Sequence, residues 1–201
     1  MPDLNKRARI AVAASGRGRT IENLLGSQTN FEICGVIVNK TCRAENLADE
    51  QDIPVYKEDF TTPDLTRLDQ WLNEQRIDYI ALCGFLKKFP SLRRYTDKVI
   101  NIHPALLPKF GGKGMYGDHV HKAVIAAGEK ESGATIHFVN EHYDEGHVIS
   151  QIKVAITANE TPHSLAAKVF DAECLLYPWT LEKIISGELP LRNHQVAIYE
   201  P

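Results

Sequence analysis

The stretch "NIHPALLP" at residues 101–108 sets a carboxamide and an imidazole at the end of an apolar run. Val99, Ile100 and Ile102 favour a strand, and Pro104 ends the ladder because it has no N–H to give. Side chains alternate along an extended chain, so Asn101 and His103 share one face. A neutral donor then stands beside a ring that titrates near neutral pH, a pairing suited to proton transfer. The same two residues would also serve as the solvated end of a strand.

A second candidate is the turn in "ASGRGRTIENLL", where glycines open a helix. Such a turn lets backbone N–H groups approach an anion, and Arg17 and Arg19 could add charge-assisted bonds. The third glycine of a dinucleotide fingerprint is missing, and "VIVNK" stands where an acidic ribose ligand would be, so NAD fits poorly. A phosphate-bearing small molecule is expected there; the alternative is a tight structural turn. His119 and His121 invite a metal reading, but residues two apart do not share a helix face and no third ligand follows at a recognised spacing. No metal is expected. His137, inside "ATIHFV", suits either a satisfied core histidine or a support for the site.

The elements that must position these residues alternate along the chain. Strands are expected at 9–14, 32–38, 78–83, 98–103, 134–139 and 147–156. Helices are expected at 20–25, 44–51, 63–75 and 119–127, with a long one at 161–185 whose Thr161-Pro162 start is a good cap and first turn. Pro178 is a candidate kink in it. Strands alternating with helices argue for a mostly parallel sheet with helices on both faces.

Length and composition narrow the classes. At 201 residues, 43% apolar and 24% charged, the chain suits one soluble domain with a full core. A net charge of −3 argues against nucleic-acid binding through bulk charge, and the basic start "NKRAR" is read as solvated. The seven-residue run "IAVAASG" is too short to span a bilayer, so neither targeting nor membrane association is expected. Cys34, Cys42, Cys83 and Cys174 show no pairing rhythm, which suits a reduced, cytoplasmic protein.

The block from residue 99 to 152 carries the most specific pattern: "NIHPALLPK", then "GDHVHKAV", "GATIHFV" and "DEGHVISQ". With these motifs the chain resembles the folate-dependent formyltransferases, from the "SGRG" turn to the helix bearing Glu173. The resemblance implies an α/β fold, a single Rossmann-like domain over residues 1–201. The length leaves no room for the extra domains that some relatives carry. It also implies transfer of a formyl group from 10-formyltetrahydrofolate to the amine of glycinamide ribonucleotide in purine biosynthesis. Small molecules are then the partners of a monomer or homodimer.

Such a transfer passes through a tetrahedral oxyanion, which needs hydrogen-bond donors while the attacking ammonium sheds a proton. The resemblance assigns catalysis to Asn101, His103 and Asp144. Asn101 would donate to the formyl oxygen, and His103 would donate as a cation or carry the proton. Asp144 would raise the histidine pKa and orient a relay water. These three are expected to converge at the carboxyl ends of the strands. The folate is expected at Leu86, Lys87, Lys88 and Phe89 and at Asn140, Glu141, His142 and Tyr143. The phosphate is expected on Gly16, Arg17, Gly18, Arg19 and Thr20, with Glu173 on the ribose. The family's usual turn is G-x-G-[ST]-N, whereas this chain has Gly18-Arg19-Thr20. That departure keeps open an amino sugar nucleotide as acceptor, and a non-catalytic nucleotide-binding role. Residues 109–118, rich in glycine, are a candidate lid, and the resemblance suggests a cis Leu107–Pro108 bond.

Overall fold

The computed structural model describes residues 7–190 and 195–201, so the first part of the "NKRAR" run lies outside the described residues. The chain divides into two compact units, residues 1–100 and 101–201.

In the first unit the order is β1 (Ala8–Ala14), α1 (Arg19–Gly26), β2 (Phe31–Val38), α2 (Arg43–Glu50), β3 (Val55–Lys57), α3 (Leu65–Glu74) and β4 (Tyr79–Leu82). Its strands lie in the order β3-β2-β1-β4, all parallel. Strands covered on both faces read as continuous apolar runs, and Ile10 to Ala14 of β1 are fully buried, as are Val36 to Val38 of β2. At the start of β1, Arg9 stands opposite Glu32 in register and meets it at 2.7 Å. Gly35 is needed because a Cβ there would lie 2.6 Å from the Trp71 ring, which packs down from α3. The helix α3 is capped by Asp64, which accepts from the Arg67 N–H.

The division falls within β5 (Val99–His103), after which the second unit continues with α4 (Asp118–Ala126), β6 (Glu131–Phe138), β7 (Val148–Ala155), α5 (Pro162–Ile185) and the short β8 (Ala197–Ile198). Strands β6 and β7 are antiparallel, with Thr135 opposite Gln151 and a register shift after Ile136; β8 then pairs parallel with β7. Helix α5 opens with a capping box: Thr161 accepts from the Ser164 N–H while Ser164 bonds back to the Thr161 N–H. It runs through Pro178 as one helix. Its Leu165, Val169, Leu176 and Leu181 are buried.

The fold is α/β with a mostly parallel sheet, and the expected strands and helices lie where the hydrophobic pattern places them. Strand β6 starts earlier than expected, at Glu131. β3 and β8 were not expected; at three and two residues they are too short for a period to show.

Candidate active site

Strand β5 ends in a buried histidine. Val99, Ile100 and Ile102 fill the core, while His103 is 3% exposed and Asn101 half-buried. Beside it, β6 brings Thr135 and His137, both buried and, two residues apart, on one face. The loop between β6 and β7 brings Asp144, held at φ +60°. An Asp tolerates this left-handed backbone better than most residues do.

The hydrogen bonds fix most of the protons. Nε2 of His103 lies 2.8 Å from the Phe110 carbonyl oxygen. A carbonyl only accepts, so this nitrogen carries a proton. Nδ1 of the same ring faces Asp144 Oδ2 at 3.4 Å. In His137, Nδ1 donates to the Phe138 carbonyl at 2.8 Å. Its Nε2 then has a lone pair in the neutral ring and accepts from Asn101 Nδ2 at 3.0 Å. One carboxamide N–H of Asn101 is thus spent on His137. The Asp144 carboxylate also accepts the Gly112 N–H at 2.9 Å and stands 3.5 Å from His137 Nε2. Four polar side chains, two from β5, one from β6 and one from the loop after it, therefore form one series: Asn101, His137, Asp144 and His103.

The electrostatics correct one expectation. Burial pushes the His103 imidazole below its ordinary value, and it outweighs both the Asp144 charge and the Phe110 carbonyl, which act to raise it. The ring is therefore neutral at neutral pH in the free protein rather than held as a cation. For Asp144, burial acts upward, but the charge that the His137 and His103 rings carry in acid, where a carboxyl titrates, and the Gly112 N–H together hold the carboxyl below its ordinary value. A half-buried carboxylate beside a neutral, protonatable ring is a site ready to receive a proton.

Two observations lay beyond sequence reasoning. The Phe110–Gly112 main chain clasps both partners, through the Phe110 carbonyl on His103 and the Gly112 N–H on Asp144. Phe110 itself has φ +58°, uncommon for a bulky residue. Thr135, fully buried, and Gln151, half-buried, form a polar bracket behind the site. The Thr135/His137 alternation was a signal for the face, but main-chain partners leave no trace in residue types. Leu107–Pro108 is cis.

The chain matches the formyl transferase family model over residues 8–181. It belongs to the formyl transferase family. It is 35% identical over 210 residues to a chloroplastic phosphoribosylglycinamide formyltransferase of Arabidopsis thaliana, covering 97% of this chain and 71% of that protein. It is 30% identical over 200 residues to the phosphoribosylglycinamide formyltransferase of Haemophilus influenzae, covering 92% and 91%. The crystal structure of phosphoribosylglycinamide formyltransferase from Anaplasma phagocytophilum superposes with a TM-score of 0.83 at 30% identity, over 97% of this chain and all of that one. This formyltransferase thus has the Rossmann-like fold of its relatives and takes 10-formyltetrahydrofolate as co-substrate.

The remaining expected ligand residues fall in both units. In the first, Gly16, Arg17 and Arg19 are exposed, Thr20 is half-buried, and Gly18 heads α1 at φ +74°. Space explains Gly18 without a ligand, since a Cβ there would meet Leu47 at 2.7 Å, whereas Gly16 faces open space. The Ser15 hydroxyl accepts the Leu86 N–H at 2.8 Å, which ties this turn to the "GFLKKFP" loop. In that loop Leu86 and Lys88 are exposed, and Lys87 is engaged by Thr61 at 3.0 Å and Asp59 at 3.4 Å. Phe89 is 3% exposed and packs with Phe60 and Phe85, which makes it core. In the second unit, Asn140, Glu141, His142 and Tyr143 are exposed just before Asp144, with Asn140 accepting the His142 N–H. Glu173 is half-buried on α5. His121 is buried on α4, and its Nδ1 has no hydrogen-bond partner among the described residues. Among the described residues no three His, Cys, Asp or Glu side chains are grouped as metal ligands, and no helix is long and apolar enough to cross a membrane.

Proposed function

We propose that this formyltransferase moves the formyl group of 10-formyltetrahydrofolate to the amine of glycinamide ribonucleotide, a step of purine biosynthesis. The observation that carries this reading is the 3.4 Å contact of His103 Nδ1 with Asp144 Oδ2 beside the half-spent Asn101 carboxamide. The acceptor nitrogen attacks the formyl carbon, and the carbonyl becomes an oxyanion. The free N–H of Asn101 donates to that oxygen, a contact worth most when the charge is fully developed. The nitrogen sheds a proton to the Asp144–His103 pair, where Nδ1 accepts it and the carboxylate stabilises the cation that results. As the bond from carbon to N10 of the folate breaks, the proton leaves the pair for N10, so charge and atoms balance. No side-chain nucleophile is required, because the amine is the nucleophile.

In this reading the folate lies on Leu86, Lys87 and Lys88 and on Asn140–Tyr143, Phe89 supporting the loop from within. The phosphate lies on Gly16–Thr20 with Arg17 or Arg19, and Glu173 serves the ribose. The whole chain acts as one formyltransferase domain, as a monomer or homodimer. The four cysteines, all of them thiols, suit a cytoplasmic location, and the net charge of −3 suits small-molecule partners rather than nucleic acid. Purified protein given 10-formyltetrahydrofolate should formylate glycinamide ribonucleotide and leave amino sugar nucleotides untouched. Turnover only on the sugar acceptor would replace the acceptor, and tight ligand binding with no turnover would favour a binding role.

A further inference from the structure

The bracket behind the site is built from side chains that touch no reacting atom. Gln151 on β7 stands opposite Thr135 on β6, so both point to the face that carries His137. Gln151 Nε2 donates to Thr135 Oγ1 at 2.9 Å and to the Leu107 carbonyl at 3.0 Å. The Thr135 hydroxyl accepts a second bond from the Leu107 N–H at 3.0 Å and donates to the Ala105 carbonyl at 2.6 Å. A hydroxyl has one proton and two lone pairs, so Thr135, which is fully buried, is saturated. Both main-chain groups of Leu107 are thus satisfied by side chains of β6 and β7.

This turn lies between His103 and the segment that clasps it. The Leu107 side chain presses on Gly111, where a Cβ would fall 2.6 Å from Leu107 Cδ2 and 3.1 Å from Asp144 Cβ. A shift of Leu107 is therefore passed to Gly111 and Asp144, and to the Phe110 carbonyl that holds His103 Nε2. We propose that Gln151 is a positioning residue for formyl transfer: with Thr135 it locks the Ala105–Leu107 turn and so sets Phe110 against His103. The proposal rests on the formyl-transfer reading above. Removing the amide strands the Leu107 carbonyl and one Thr135 lone pair in a buried place, so the turn must move to find other partners.

The test is Gln151→Leu, which keeps the bulk and removes both donors. Formyl transfer should show kcat lowered by about tenfold or more, with KM for each substrate within about twofold, since misplacement costs the chemical step. The His103 ring, followed by NMR titration of the ligand-free protein, should titrate lower than in the wild type, because losing the Phe110 acceptor disfavours the cation. Thr135→Val should reproduce both changes and Thr135→Ser neither, and the Q151L/T135V pair should lose no more than one substitution alone. If Q151L does not fold, Gln151→Asn, whose shorter arm cannot reach Leu107, is held to the same two measurements. An unmoved His103 titration, or a kcat within about twofold of wild type, overturns the proposal. The NMR titration needs no acceptor. A wild type inactive on glycinamide ribonucleotide would therefore count against the substrate reading, while the shift of the His103 titration would still decide whether Gln151 positions the ring.

Discussion

His103 gives its Nε2 proton to the Phe110 carbonyl at 2.8 Å, and this leaves Nδ1 as the nitrogen that gains and loses a proton. Nδ1 faces Asp144. Burial lowers the imidazole pKa more than the carboxylate raises it, so the wild-type ring should titrate below 6.5. Asp144→Asn removes an opposing charge, and the ring should titrate lower still while kcat falls strongly and folate binding is retained. NMR titration of His103 in both proteins checks this. A ring that titrates higher in the Asn variant would refute the pairing.

Asn101 spends one N–H on His137, and in the proposed mechanism the other serves the oxyanion. Asn101→Ala should cost roughly 10²–10³ in kcat, the usual loss for one oxyanion donor, with little change in KM. A solvated strand end would predict effects within about ±0.5 kcal/mol in stability and none on transfer.

Much of the site is legible in the sequence because it depends on local rules. The Asn101/His103 alternation needs only an extended chain, and the Thr161-Pro162 start needs only capping chemistry. The protonation state of His103 is not legible there: it depends on how deeply β5 ends in the core, and the sequence suggests that Asp144 would dominate. The Phe110 and Gly112 contacts use main-chain atoms, which every residue has. The pairing of Thr135 with Gln151 depends on a register that includes a shift after Ile136. For Phe89, the loop's position in the motif suggests ligand contact, while its size and its neighbours Phe60 and Phe85 place it in the core.

The two glycines of the first turn should behave differently. Gly18 has φ +74° and sits 2.7 Å, at its built Cβ, from Leu47, whereas Gly16 meets nothing within 4 Å. Gly18→Ala should therefore cost about 1–3 kcal/mol in stability, and Gly16→Ala should be close to neutral; urea unfolding measures both. On the same turn, Arg19→Ala should raise KM for the phosphorylated acceptor more than it changes kcat, because phosphate contacts are mostly uniform binding. An unchanged KM would remove Arg19 from the binding site.

Acid should destabilise the fold through both members of the pair. His103 has a folded pKa below its unfolded value of 6.5, so below that pH the unfolded chain binds more protons and stability falls. Asp144 has a folded pKa below 3.8, so its contribution is fully present above the unfolded value and is lost as pH falls through the folded one. The melting temperature should drop first as pH passes below 6.5, and His103→Phe should flatten that first drop while Asp144 still governs the lower range. Parallel melting curves for the two proteins between pH 7 and 5 would contradict this.

Gly111 and Gly114 separate contact with the site from mere loop strain. Gly114 has φ +91° and open space around it, so Gly114→Ala strains the backbone without touching Asp144. Gly111 has no such positive φ, but an added Cβ would lie 3.1 Å from Asp144 Cβ and closer still to Leu107. Gly111→Ala must push either the carboxylate or the Leu107 side chain aside, and both lie against the segment that clasps His103. A displacement of a few tenths of an ångström at Asp144 lengthens a contact that is already 3.4 Å. Gly111→Ala should thus lower kcat by about tenfold or more at nearly unchanged stability, while Gly114→Ala should lose about 1 kcal/mol of stability and keep its turnover. Kinetics and urea unfolding of the two variants, measured side by side, decide it: equal turnover in both would mean that the 109–118 segment does not set the His103–Asp144 geometry.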